Sequence, residues 1–258
     1  MKPNLFPCLR HSAGSLRNPD LRYVPDKTGR FRQRPHWQPA ELDFECESVI
    51  VGFMREVCGT FALPIPTDVL TKLIERDSQY LDLYSDLSDE DGTNVEGVTD
   101  FCPGAKPIVR ISSALSDAGN RVNRLRTTLT HEYCHVKFHD YLYQEGELMG
   151  RLFADAFKKK PAKCQRETML DAPITDWMEW QAGYVCGSML MPLTYLKRVV
   201  ANYRKENNLL GSIGDRSKEG LVLLATVADT FDVSQEAARI RLLKLNHLSS
   251  GKTHSALY

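Results

Sequence analysis

Residues 177–190, WMEWQAGYVCGSML, hold a single charged side chain, Glu179, in a segment apolar around almost its whole circumference. A helix without a polar face belongs in the interior, and Pro192 stops it just beyond. The chain must therefore fold around a buried helix that carries a carboxylate inward, where an unpaired charge is costly. Two readings account for it. Asp176-x-x-Glu179 has the spacing of a capping box at the helix start, or Glu179 meets a partner supplied by a second helix. Composition alone leaves both open.

A second segment supplies the candidate partner. THEYCHVKFH, residues 130–139, has histidines at 131, 135 and 139 with Glu132 directly after the first. Residues four apart share a helix face, so His131 and His135 can hold one metal ion between them. Glu132 is displaced around the helix, in reach of a metal-bound water without being a ligand. H-E-x-x-H is this division of labour: two imidazoles on zinc and a carboxylate as general base. His139 lies about 12 Å along a straight helix from His131, too far for the same set of ligands, and reads as packing or as support for a ligand. Cys134 faces away from the histidine edge and reads as a small core residue.

Around these two helices the pattern is mixed. Leu42, Cys46, Val49, Ile50, Phe53, Met54 and Val57 recur at helical spacing from Glu41, with Gly59 as the stop. A second helix follows Pro64-Ile65-Pro66-Thr67-Asp68 and runs to about Arg76. YLDLYSDL, VEGVTDF and PIVRIS then read as a small sheet of about three strands. A long helix follows Ser116-Asp117 and runs to about Leu142, with Val122, Leu125, Leu129, Tyr133 and Val136 as its apolar stripe. Residues 144–172 are charged and poorly periodic, as in a surface excursion. LVLLATVADTFDVSQEAARIRLLKL closes the chain as two helices around an Asp232-Val233-Ser234 break, with Leu221, Leu224, Val227, Ala228 and Phe231 on one face and Ser234 as a cap.

The fold class expected is α+β in 258 residues, enough for one main core with appendages. The boundaries read as a basic, poorly structured arm over 1–40, a main domain over 41–200, a helical element over 215–248 and a tail over 249–258. Lys+Arg and Asp+Glu both number 33, so no global charge argues for nucleic acid or an anionic membrane. The arm is locally basic, with eight Lys/Arg against Asp20 and Asp26. No apolar run approaches the roughly 20 residues that cross a bilayer. No secretory h-region opens the chain, and the odd number of cysteines, seven, suggests free thiols in a reducing compartment. The expected location is the cytoplasm.

Taken together these blocks resemble the ImmA/IrrE family of metallo-endopeptidases. Three segments carry the likeness in order over roughly residues 45–245: RTTLTHEYCHVKFH at 126–139, EWQAGYVCGSMLMP at 179–192 and LATVADTFDVS at 224–234. The resemblance implies a zincin-like helical core, a helix-turn-helix-like C-terminal element, zinc on His131, His135 and Glu179, and Glu132 as catalytic base. It implies zinc-assisted hydrolysis of a protein substrate at narrow specificity, in the style of cleaving a helix-turn-helix repressor. Gln181 stands where the family has a second glutamate. Gly183 replaces its usual Asn or Asp, so a group that would orient a ligating histidine is absent or supplied elsewhere. Tyr133, Tyr141, Tyr143 and Tyr184 are candidate oxyanion donors that sequence does not rank.

The rival reading is a DNA- or protein-binding module with a structural or vestigial metal site. Charge disfavours groove binding, because Arg239, Arg241 and Lys244 are balanced by Asp229, Asp232 and Glu236 over residues 221–247. A zinc hydrolase acting on small molecules is the third reading, since a ligand set does not fix a substrate.

Overall fold

A computed structural model describes residues 21–88, 90, 95–102, 104–116, 121–144, 162–165 and 176–250, with the backbone alone for 162–165. It combines helices with small sheets, the mixed class expected. The central packing is between α4, Val122–Cys134, and α5, Trp177–Leu190, with α1, Pro39–Cys58, laid against α5. Gly59 ends α1 in the left-handed conformation at φ 76°, as its place in the sequence suggests. Leu42, Cys46, Ile50, Phe53 and Met54 are buried, whereas Val57, assigned to the same stripe, lies exposed in the last turn. Helix α2, Thr67–Asp77, completes this side of the core, and the single turn α3, Ser113–Ser116, precedes α4.

Strands β3, Tyr80–Ser85, β4, Val95–Asp100, and β5, Ile108–Ser112, are the three read from sequence. A fourth, β6, Ala162–Gln165, comes from the excursion and pairs antiparallel with β4, giving the order β3-β5-β4-β6. Residues 145–161 and 166–175, which include most of that excursion, lie outside the described residues, as do the first 20 residues of the arm and most of the tail. Gly97 of β4 sits where an added Cβ would come within 2.6 Å of Glu132 Oε1 and 2.8 Å of Thr128 Cγ2. The glycine that punctuates VEGVTDF thus lets the strand lie directly on α4.

Residues 21–36, read as part of a poorly structured arm, form a hairpin of β1, Tyr23–Pro25, and β2, Gln33–Pro35. Asp26 builds its turn by accepting from the Thr28 and Phe31 amides at 2.9 and 3.0 Å, and Gly29 takes a positive φ.

The helix carrying the histidines does not keep one geometry. After α4 it passes through a π-helical turn over His135–His139 and continues as α-helix to residue 144. Helix α6, Leu193–Glu206, starts after Pro192. Helices α7, Lys218–Phe231, and α8, Gln235–Lys244, flank the expected break, and the Ser234 hydroxyl accepts from the Ala237 amide. On α7 the buried face holds Leu223 beside Leu224, Val227, Ala228 and Phe231, while Leu221, expected on that face, lies exposed outside it. Arg126 of α4 reaches this end of α7, donating to Asp232 Oδ2 at 2.9 Å and to the Phe231 carbonyl at 3.1 Å. No helix among the described residues is long and apolar enough to cross a membrane.

Candidate metal centre

His131, His135 and Glu179 converge, with one candidate ligand atom from each lying within 4.8 Å of the others. His131 projects from the last turn of α4 and His135 from the start of the π-helical turn that continues it, their ring centroids 5.2 Å apart. Glu179 reaches them from the first turn of α5, placing Oε2 3.1 Å from His131 Nε2 and Oε1 3.5 Å from His135 Nε2. Both histidines are fully buried and the Glu179 side chain is 14% exposed, so the group opens outward on the glutamate side. Of the two readings of Glu179, the geometry takes the inward one. Asp176 makes no side-chain cap and pairs instead with Arg30 at 2.9 Å.

The residues fit a metal ion on three counts. Two imidazoles and a carboxylate are a donor set typical of catalytic zinc, and tetrahedral bonds of 2.0–2.1 Å would separate ligand atoms by about 3.3 Å, close to the two separations observed. His135 Nε2 is buried, aimed into the group, and without a hydrogen bond. Burial and the neighbouring histidines hold His135 well below the usual imidazole pKa, keeping it neutral as a ligand must be.

Glu132 lies beside the group and outside it. Its Oε2 accepts from the Thr99 hydroxyl of β4 at 2.5 Å, and its Oε1 is buried with no partner. Burial pushes its carboxyl up to about 7, against the opposing pull of His131 and the Thr99 hydrogen bond. A carboxylate poised there suits proton transfer near neutral pH. Thr99 and Gly97 are the site residues that sequence reasoning missed. They lie 33 and 35 positions before Glu132, and only the glycine in the strand hinted at a close approach.

His139 stays out of the ligand group. Its Nδ1 is 2.9 Å from His135 Nδ1 and its Nε2 is 3.0 Å from Gln181 Oε1. Trp177 packs edge-on against its ring at 5.4 Å. Cys134 is buried in the core, apart from the ligands. Of the tyrosines, Tyr133 donates to Asp77 at 2.7 Å and Tyr184 to Asp43 at 2.9 Å, which turns both hydroxyls away from the centre. Tyr143 stacks on Phe101 at 3.7 Å, and Phe101 in turn meets His135 edge-on.

The hairpin closes one side. Arg30 grips Asp176 through two nitrogens, Asp26 accepts from the Trp177 indole at 3.1 Å, and Phe31 packs edge-on against Tyr143 and Trp177. These contacts tie the chain's basic segment to the turn of α5 that carries Glu179. No protein-family model matches the chain, and no curated protein matches its sequence.

Proposed function

We propose that this chain is a cytoplasmic zinc-dependent endopeptidase of the ImmA/IrrE kind, with narrow specificity for a regulatory protein such as a helix-turn-helix repressor. The observation that carries the reading is the buried convergence of His131, His135 and Glu179 with Glu132 beside them and outside the ligand group. The zincin-like description of the core and the helix-turn-helix-like description of α7 and α8 belong to the same proposal.

His131, His135 and Glu179 would hold the ion, which when bound supplies Lewis acidity to polarise a carbonyl and acidify a water. Glu132 takes the proton of the attacking water on Oε1, the oxygen left free, while Thr99 fixes Oε2. The water oxygen bonds to the scissile carbon, and the proton passes from Glu132 to the leaving nitrogen as the C–N bond breaks. Burial of Glu132 beneath β4 shields this proton from bulk water. The hairpin, bound to the start of α5, would form one wall for the substrate. Helices α7 and α8 serve as a packing element in this reading, supported by the two bonds from Arg126.

The test compares new protein N-termini in cells expressing the wild-type chain with those in cells expressing Glu132→Gln. Cleavages that depend on Glu132 are the expected result and identify the substrate. Identical N-termini, with zinc bound equally by both proteins, would overturn the protease reading in favour of a binding module.

A further inference from the structure

The bond between His135 and His139 joins two Nδ1 atoms, so one nitrogen carries the hydrogen and the other accepts. The choice is coupled to both ends of the chain of bonds. If His135 Nδ1 donates, His135 Nε2 is bare and its lone pair faces the group formed with His131 and Glu179. His139 Nδ1 then accepts, so its hydrogen sits on Nε2 and points at Gln181 Oε1, an oxygen that can only accept. The opposite assignment puts the hydrogen on His135 Nε2, where no lone pair remains for a metal. It also leaves a bare His139 Nε2 facing an oxygen at 3.0 Å. With the Gln181 amide oxygen on His139 Nε2, these bonds are compatible with one arrangement for all three residues.

Resting on the metal-site reading, we infer that His139 and Gln181 are positioning residues that fix His135 in the tautomer with a bare Nε2. His135, His139 and Gln181 are each buried at 1% exposure or less. Bulk water does not reach these bonds at that depth, and Trp177 packs edge-on against the His139 ring. Both supporting residues come from the two helices that supply the ligands, so the relay also sets the approach of α4 to α5. Gly183 has no side chain for this task, and the relay accounts for how the ligand is oriented without one. A ligand oriented this way is aligned before the ion arrives.

Two measurements test the relay. Long-range proton–nitrogen NMR of the metal-free protein should show the hydrogen of His135 on Nδ1 and that of His139 on Nε2. In parallel, zinc affinity from competition with a chromophoric chelator should fall about 10- to 100-fold in His139→Leu and in Gln181→Leu. Gln181→Glu keeps an acceptor and should recover most of the loss, which a purely structural role for Gln181 would not predict. Should His139→Leu fail to fold, the Gln181 pair and the tautomers decide the matter. Hydrogen on His135 Nε2, or unchanged affinity in folded variants, overturns the relay. If the tautomers are as inferred but the wild-type protein takes up no zinc, the relay stands and the metal reading fails.

Discussion

Helix α5 takes part in two buried polar clusters, and they are resolved in opposite ways. In its second half, the Asp43 carboxylate accepts from Ser188 at 2.7 Å, Tyr184 at 2.9 Å and Arg241 at 2.6 Å, with Asp43 and Arg241 both buried. Acid and base cancel there, and the pair joins α1 to α8 across α5. In its first turn, Glu179 meets His131 and His135 next to Glu132, and no Lys or Arg among the described residues pairs with either glutamate. Two imidazoles and a carboxylate converge there, His131 Nε2 hydrogen-bonded to Glu179 Oε2 at 3.1 Å, while His135 Nε2 and Glu132 Oε1 stay unpaired. The first cluster is built to hold the fold. The second retains buried groups at a cost in stability, as a site awaiting a cation does.

This contrast can be broken by mutation. Asp43→Ala strands the Arg241 charge in the interior and is expected to cost about 3–5 kcal/mol in urea unfolding. Glu179→Ala in metal-free protein removes a carboxylate whose partners are imidazoles and not a Lys or Arg, and is expected to cost less than about 1 kcal/mol. Equal losses from the two substitutions would erase the distinction between clusters. Saturating zinc narrows that difference. At free zinc 100 times the dissociation constant the wild-type protein should gain about 2.7 kcal/mol, read as a rise in melting temperature, while Glu179→Ala gains little.

Gly97→Ala is expected to cost about 1–3 kcal/mol, because the new methyl meets Glu132 Oε1 and Thr128 in a packed region. It should also reduce any Glu132-dependent cleavage. Gly52→Ala, on α1 with open space around the added carbon, should instead be neutral or stabilising by up to about 1 kcal/mol. If the two alanines behave alike, the close approach of β4 to α4 is not what constrains position 97.

The smallest effect concerns Asp140, one residue past the π-helical turn. Burial raises its carboxyl to about 6, opposed by a hydrogen bond from Gln144. The folded protein therefore binds this proton more tightly than the unfolded chain. Stability from this group is complete below about pH 4 and lost as pH rises through 6. Asp140→Asn should stabilise the protein by about 1 kcal/mol at pH 8, discounted for the exposed part of the side chain, and leave it unchanged at pH 4. Urea unfolding at the two pH values checks the sign.

The convergence of His131, His135 and Glu179 was legible in the sequence because a helix turns spacing into geometry. Histidines four apart share a face, and one carboxylate in an apolar helix has to find a partner. Helix ends were legible for the same local reason, with Gly59 and Ser234 acting as their residue types dictate. What stayed hidden depends on the approach of distant segments. Nothing local marks Thr99 as the partner of Glu132, and the spacing that excludes His139 as a ligand does not say which atom it supports. Composition also understated the arm, although Asp26-Lys27-Thr28-Gly29 carries the turn chemistry of the hairpin found there.

The central claim is that His131, His135 and Glu179 form one metal site. Its most direct test is metal analysis of protein purified without chelators, comparing the wild-type chain with His131→Ala and Glu179→Ala. One zinc per wild-type chain, and a small fraction of that in both folded variants, is the result this account predicts. Wild-type protein without metal that also fails to take up added zinc, or equal zinc in all three proteins, would contradict it.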